Sequence, residues 1–67
     1  MVGIEFRVCL KNGKYGYGAD SWQALKEAVG AKKAHIIAGQ IGYISSAHEI
    51  VGKNGVTIGF IEKRIKP

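Results

Sequence analysis

The first ten residues of the chain alternate between apolar and polar or small side chains. The apolar positions are Val2, Ile4, Phe6, Val8 and Leu10. A period of two residues is typical of a β-strand that buries one face and exposes the other. The pattern therefore predicts an N-terminal strand that ends near residue 10.

An Asn-Gly pair follows this strand at positions 12 and 13. Both residue types accept the positive φ angles of a two-residue type I′ turn, so the pair predicts a tight β-hairpin. A loop of that length pairs Leu10 with Tyr15 and Val8 with Tyr17, which places both tyrosines on the apolar face. The glycines at positions 16 and 18 then lie on the other face of a weak, twisted edge strand.

The next segment has the pattern of a short amphipathic helix. Asp20 or Ser21 is a good N-cap, and Gly30 is a natural C-cap. Between these caps an apolar stripe recurs at helical spacing and consists of Trp22, Leu25, Ala28 and Val29. We predict a helix from about residue 21 to residue 29, packed across the apolar face of the hairpin.

The middle of the chain, residues 31–52, is compatible with several structures. Its first part could extend the helix, begin a second helix, or form a strand at residues 35–38. Ser45 or Ser46 could cap a further short helix, since Ser46 and Glu49 have capping-box spacing. Alternatively, residues 43–51 form a strand that leads into a second hairpin.

A second Lys-Asn-Gly sequence, at residues 53–55, repeats the one at residues 11–13 and favours the second hairpin. Residues 56–65 are rich in β-branched and aromatic side chains, which predicts a C-terminal strand. The expected fold class is α+β. It comprises an N-terminal β-hairpin, an amphipathic helix on the sheet, an irregular or short helical middle segment, and a C-terminal strand or hairpin.

The length of 67 residues corresponds to one small domain, residues 1–67. Dimerisation is one way for so short a chain with open, glycine-weakened strand edges to gain stability. Cys9 is the one cysteine, which excludes an intramolecular disulfide and fits a reducing compartment. No apolar run approaches the roughly 18 residues that span a bilayer, and charged residues interrupt any signal-peptide core. We expect a cytoplasmic protein with no membrane contact.

The side chains that catalysis or metal binding requires are few and scattered. His35 and His48 are far apart in the sequence, and Cys9 is remote from both. A transition-metal site needs such ligands clustered, and a nucleophilic cysteine needs an activating base. The glycines do not follow the spacing of a phosphate-binding loop. We therefore predict a binding protein that is not an enzyme and has no cofactor and no metal.

The net charge of +5 is concentrated in the second half, because residues 1–30 carry +1 and residues 31–67 carry +4. A basic surface can hold a polyanion through Coulomb attraction and counterion release. Nucleic acid, either DNA or RNA, is therefore the first partner expected. An acidic protein is the alternative partner, since it would use the same charge.

Part of the middle segment resembles a helix-turn-helix motif. The resemblance lies in an apolar-Ala-x-x-apolar-Gly core, formed by Ile37, Ala38, Ile41 and Gly42. It implies that residues 45–51 form a recognition helix and that residues 56–65 form a wing. Two positions depart from the motif, because Gly39 weakens the first helix and His48 stands where an aliphatic residue is usual.

The same segment also resembles a KH domain through Gly39-x-x-Gly42, the loop that clamps a nucleic-acid backbone. The basic residue usual in that loop is missing. A third possibility uses the sheet, since Tyr15 and Tyr17 lie on one strand face and could stack bases. The predicted register instead places both tyrosines in the core.

Two functions of different classes follow from these patterns. The first is a nucleic-acid-binding or regulatory protein; the second is a protein-interaction or inhibitor module that acts on an acidic partner through a strand edge or apolar patch. The predicted contact residues are Lys32, Lys33, Ser46, His48, Lys53, Asn54, Lys63 and Arg64. One contiguous basic face would favour nucleic acid, and dispersed lysines around an apolar edge would favour a protein partner.

Overall fold

The computed structural model describes residues 3–66, which form an antiparallel sheet and two helices. The elements are β1 (Gly3–Leu10), β2 (Tyr15–Gly18), α1 (Ser21–Val29), α2 (Ala31–Gln40), β3 (Ile41–Ile44), β4 (Glu49–Gly52) and β5 (Thr57–Lys66). The five strands lie in the order β2-β1-β5-β4-β3. The predicted α+β class, with its N-terminal hairpin and C-terminal strand, is confirmed. Val2, predicted at the start of the first strand, lies outside the described residues.

The first hairpin has a three-residue turn, one residue longer than predicted. The Gly13 N–H donates to the Leu10 carbonyl oxygen at 3.0 Å, and the Leu10 N–H donates to the Lys14 carbonyl oxygen at 2.8 Å. Gly13 has a φ of 91°, whereas Asn12 keeps a negative φ. This combination is a type I turn followed by a left-handed glycine, not a type I′ turn.

The longer turn shifts the strand register by one residue and reverses the faces of β2. Gly16 lies opposite Val8, and Tyr17 lies opposite Arg7. Because side chains alternate between the faces of a strand, the shift moves both tyrosines to the side away from the helices. The prediction that Tyr15 and Tyr17 pack beneath the helix is therefore wrong, because it assumed a two-residue loop.

Helix α1 begins and ends where the sequence predicts. Asp20 is the N-cap, and its Oδ1 accepts a hydrogen bond from the Gln23 backbone N–H at 2.8 Å. Gly30 ends the helix with a φ of 87° and donates its N–H to the Lys26 carbonyl oxygen at 2.7 Å. Both ends thus satisfy backbone groups that a free helix terminus leaves without partners.

The glycines of β2 lie directly beneath α1. A Cβ atom placed on Gly16 would overlap the Ala24 carbonyl oxygen and the Ala28 nitrogen. A Cβ atom on Gly18 would lie 2.6 Å from the Ala24 nitrogen. The helix backbone therefore rests on the strand backbone, and any side chain at these two positions would force the two elements apart.

The core lies between the helices and one face of the sheet. Its buried side chains are Val8 and Leu10 of β1, Ala24 and Leu25 of α1, Ala34 of α2 and Ile50 of β4. Helix α2 packs mainly against α1 and makes few contacts with the sheet. The helix side of β3, β4 and β5 is consequently covered less completely than that of β1 and β2.

The middle segment forms a second helix followed by two strands, and this arrangement excludes the helix-turn-helix. Residues 41–44 are strand β3, and residues 49–52 are strand β4. The predicted recognition helix is therefore a turn and a strand. The KH-like loop is also wrong, because Gly39 lies within α2 and Gly42 lies within β3.

The second Lys-Asn-Gly sequence forms the same turn as the first, which confirms the second predicted hairpin. The Gly55 N–H donates to the Gly52 carbonyl oxygen at 2.9 Å, and Gly55 has a φ of 83°. Leu10 at the end of β1 lies opposite Gly59 near the start of β5. Both turns therefore lie at one end of the sheet, which we call the Lys-Asn-Gly end and define as residues 11–14 and 53–56.

Replacing Gly16 by Ala tests the close approach of α1 to β2. We expect G16A to lower the free energy of unfolding by about 2–3 kcal/mol, because the new methyl group overlaps the helix backbone. Gly39→Ala is the matched control, since a Cβ at Gly39 meets no atom within 4 Å. G39A should raise stability by about 1 kcal/mol through helix propensity. Urea denaturation followed by circular dichroism measures both, and equal effects of the two variants would contradict the contact.

Candidate nucleic-acid interface

One face of the sheet carries no helix, and we call it the open face. Residues paired across neighbouring strands lie on the same face of the sheet, and along each strand they alternate with residues that face the core. The strand pairing therefore identifies the side chains of the open face. The open face comprises Tyr15 and Tyr17 of β2, Glu5, Arg7 and Cys9 of β1, Phe60, Glu62 and Arg64 of β5, Glu49 and Val51 of β4, and Tyr43 of β3.

Three aromatic side chains on the open face are largely exposed. Tyr15 is 57% exposed, Phe60 is 43% exposed and Tyr43 is 60% exposed. Tyr15 and Phe60 both lie opposite Cys9, so they form one row across β2, β1 and β5. Strands in a sheet are about 4.8 Å apart, so the two aromatic residues stand on the order of 10 Å apart with a small thiol between them. Exposed rings on a flat sheet are surfaces on which bases stack.

Two arginines lie over the tyrosine rings beside this row. The Arg7 guanidinium carbon is 5.6 Å from the ring centre of Tyr15 and 5.9 Å from that of Tyr17. The Arg64 guanidinium carbon is 5.2 Å from the ring centre of Tyr17. The two tyrosine rings meet edge to face, with 6.0 Å between their centres. Cation–π contacts therefore hold these side chains together as one layer of flat groups.

Each of these arginines also pairs with a glutamate. The Arg64 Nε and Nη2 atoms donate to the Glu5 Oε1 atom at 2.9 and 2.7 Å. The Arg7 Nη1 atom lies 3.6 Å from the Glu62 Oε2 atom. Hydrogen bonding and charge attraction by Glu5 raise the pKa of Arg64 above its ordinary value, so this guanidinium remains charged.

The open face is consequently close to electrically neutral. Among the side chains of this face that the structure describes, the charged ones are two arginines and three glutamates, namely Arg7, Arg64, Glu5, Glu49 and Glu62. Such a face suits flat, uncharged groups better than it suits anionic ones. Phosphate contacts would have to come from cations at its rim.

Exposed lysines stand at that rim, on the Lys-Asn-Gly end of the sheet. Lys11 and Lys14 come from the first hairpin turn, and Lys53 comes from the turn between β4 and β5. Tyr15 directly follows Lys14, and Lys11 follows Cys9 by two residues, so the lysines of the first turn border the row at Tyr15 and Cys9. Lys53 lies four residues along β4 from Glu49, the cross-strand partner of Phe60. Aromatic surface and positive charge are therefore adjacent at this end.

The eight contact residues predicted from the sequence are distributed over several surfaces. Lys53 and Asn54 line an open hollow of about 400 Å³ beside the end of α2. His48 and Lys63 line another hollow, of about 340 Å³, at the opposite end of β4. The four residues of β4 lie between His48 and Lys53, so the two are five residue steps, or roughly 16 Å, apart along the strand.

The remaining predicted residues lie elsewhere. Lys32 and Lys33 are exposed on the first turn of α2, and Ser46 is exposed in the turn between β3 and β4. Arg64 is on the open face in its pair with Glu5. Of the predicted set, the structure thus brings Arg64 onto the aromatic surface and Lys53 to the Lys-Asn-Gly end of the sheet.

Phe60 and Arg7 are the members of this surface that sequence reasoning missed. Their proximity depends on the pairing of β1 with β5, which are distant in the chain. The signal that could have found the tyrosine face is the glycine after Asn12. It suits a three-residue turn as well as a two-residue one, and the longer turn aligns Tyr17 with Arg7.

No protein-family model, curated protein or solved structure matches this chain. Within residues 3–66, no three His, Cys, Asp or Glu side chains come together as metal ligands. In the same range, no helix has the length and apolar character that crossing a membrane requires.

His48, one of the predicted contact residues, occupies an unusual backbone conformation. The turn between β3 and β4 has the same hydrogen bonds as the Lys-Asn-Gly turns, with the His48 N–H donating to the Ser45 carbonyl oxygen at 2.9 Å. His48 has a φ of 61°, the left-handed conformation that Gly13 and Gly55 adopt in the other two turns. Histidine tolerates this region better than most residues but at a cost in free energy.

Replacing His48 by Gly should stabilise the protein by about 0.5–1 kcal/mol, because glycine adopts a positive φ without steric strain. Gly13→Ala and Gly55→Ala are the reverse controls. No atom lies within 4 Å of a Cβ built at either position, so their expected loss of about 1 kcal/mol is purely conformational. Thermal and urea unfolding of the three variants provides the test. If H48G is less stable than the parent chain, the imidazole stabilises the protein by more than the strained backbone of His48 destabilises it.

Proposed function

We propose that this chain is a non-enzymatic protein that binds single-stranded nucleic acid on the open face of its sheet. Bases stack on Tyr15 and Phe60, and lysines of the Lys-Asn-Gly end contact the phosphates. The observation that supports this proposal most directly is the row of two exposed aromatic rings flanking Cys9, next to the arginine–tyrosine layer.

Single strands fit this surface better than duplexes do. The faces of bases in a duplex are covered by neighbouring bases, whereas a single strand presents them to an aromatic ring. A flat sheet also has no helix or ribbon that projects into a groove. DNA and RNA share the base faces and phosphates that this surface would contact, so both are tested.

The charge distribution predicts weak dependence of binding on salt. Each phosphate contact in a single-stranded complex contributes a slope of about −0.7 to the logarithm of affinity against the logarithm of salt concentration. Three lysines, Lys11, Lys14 and Lys53, would therefore give a slope of about −2. Stacking supplies the remaining affinity and is largely insensitive to salt.

The test is fluorescence anisotropy with labelled single-stranded DNA, single-stranded RNA and duplex DNA of about a dozen nucleotides, a length within the usual footprint of sheet-based binders. We expect single strands to bind more tightly than the duplex. The double variant Tyr15→Ala, Phe60→Ala should lose at least about tenfold in affinity, because each stacked base is worth about 1–3 kcal/mol. Both side chains are largely exposed, so the variant should fold.

Two control variants separate stacking from other effects. Tyr15→Phe with Phe60→Tyr keeps both rings and should bind like the parent chain. Lys32→Ala with Lys33→Ala removes charge from α2, away from the open face, and should change affinity little. Absence of binding at low salt, or equal affinity of the double alanine variant and the parent, would refute the proposal.

A further inference from the structure

The two edges of the sheet differ in how they are protected. At the β2 edge, the Tyr17 backbone N–H donates to the Glu27 Oε1 atom at 3.1 Å, so a carboxylate of α1 caps that edge. The other edge, β3, has the sequence Ile-Gly-Tyr-Ile and carries no charged side chain. Tyr43 and Ile44 are 60% and 47% exposed. An apolar, uncharged edge strand is a template for pairing with another chain.

The outward-facing backbone groups of β3 belong to Ile44. The Ser45 N–H donates inward to the Glu49 carbonyl oxygen at 2.9 Å, and Tyr43 lies opposite Val51. Antiparallel strands alternate the direction of these groups, so the N–H and C=O of Ile44 point away from β4. Since β3 is the last strand of the sheet, no strand of the described chain pairs with them.

An apolar cleft of about 200 Å³ adjoins this edge on the helix side of the sheet. It exists because α2 packs on α1 and leaves the helix side of β3, β4 and β5 partly uncovered. Its main lining residues are Trp22, Ile37, Ile41, Ile44, Ile50 and Ile61. Ile44 belongs to both features, so a strand added beside β3 would place alternate side chains over the cleft.

Lysines border the cleft, and no carboxylate lines it. The Lys26 Nζ atom lies 5.5 Å from the ring centre of Trp22. Lys33 is one helical turn before Ile37 on α2, and Lys63 follows Ile61 by two residues on the same face of β5. The positive charges of these three lysines complement acidic residues. They also oppose a second copy of the chain, which would bring like charges together.

We propose that the β3 edge and the adjoining cleft bind an extended, acidic segment of a partner protein as an added strand. Backbone hydrogen bonds to Ile44 hold the segment. Its side chains on the helix side of the sheet are aliphatic at the centre, where they enter the cleft, and acidic toward both ends, where they meet the bordering lysines. This surface lies at an edge and on the helix side of the sheet. The proposal therefore does not rest on nucleic-acid binding at the open face.

The probe is a synthetic peptide with acetylated and amidated ends, Asp-Thr-Ile-Thr-Val-Thr-Asp, in which the aliphatic and acidic side chains share one strand face. It is titrated into ¹⁵N-labelled protein and followed by NMR. We expect the amide signals of Gly42 and Ile44 to shift, the Ile44 amide to gain protection from hydrogen exchange, and affinity to fall with salt. A peptide in which lysines replace all acidic residues should not bind. A peptide N-methylated at its edge-facing amides should not bind either, because it cannot complete the ladder.

Ile44→Lys and Val56→Lys form the matched pair of variants. Both add one positive charge at an exposed aliphatic residue, but Val56 lies in the turn between β4 and β5. I44K should weaken peptide binding by at least about tenfold because it removes an aliphatic side chain from the wall of the cleft. V56K adds the same charge away from the cleft and should bind within about twofold of the parent. A well-dispersed spectrum of I44K verifies its fold.

Three results would overturn the proposal: equal peptide affinity of I44K and V56K, equal binding of the lysine peptide, or unchanged binding of the N-methylated peptide. A fourth contradicting result could come from sedimentation equilibrium of the chain alone. A dimer that I44K dissociates would show that a second copy of the chain, rather than an acidic partner, occupies this edge.

Discussion

The close approach of α1 to β2 is the contact on which the rest of the structure depends. Gly16 and Gly18 allow the helix backbone to rest on the strand, with no room for a Cβ atom between them. Glycine on the helix side requires that the intervening residues, Tyr15 and Tyr17, face the other way. The buried core and the aromatic open face are thus two consequences of one alternating Tyr-Gly-Tyr-Gly sequence. The small alanines of the core, Ala24 among them, are equally suited to a short distance between helix and sheet.

A chain of this size cannot cover both faces of a five-stranded sheet, and the two uncovered regions differ in character. The open face combines exposed rings with arginines that glutamates already neutralise, which suits flat uncharged groups. The cleft beside β3 combines aliphatic walls with a border of lysines, which suits an apolar segment that carries negative charge. The net charge of +5 is therefore divided between surfaces rather than gathered on one face. This division is why the contact residues predicted from the sequence do not meet at one place.

The three hairpin turns determine how these surfaces are arranged. All three close with the same pair of backbone hydrogen bonds and a left-handed third residue, which is Gly13, His48 or Gly55. Two of them lie at one end of the sheet, where Lys11 and Lys14 of the first turn adjoin the aromatic row at Tyr15. The asparagine of each Lys-Asn-Gly turn accepts a backbone N–H two residues later, at 2.9 Å for Asn12 and 3.1 Å for Asn54. These local bonds explain why the repeated tripeptide gives the same turn twice.

The sequence by itself determined the features whose causes are local. The caps of α1 at Asp20 and Gly30, the positions of the two Lys-Asn-Gly turns and the β-rich C-terminus all depend on atoms a few residues apart. All lie where the pattern predicted, although the first turn is one residue longer than expected. Tertiary structure decided the rest. The spacing of Ser46 and Glu49 suited a helix cap, yet Ser45 Oγ accepts the Glu49 N–H within a turn between strands. The face of Tyr17 depended on a single residue of loop length, and a one-residue slip exchanges the two faces of a strand. Arg7 and Phe60 join the tyrosine face only because β1 pairs with β5. No local pattern encodes this pairing, since it joins the two ends of the chain.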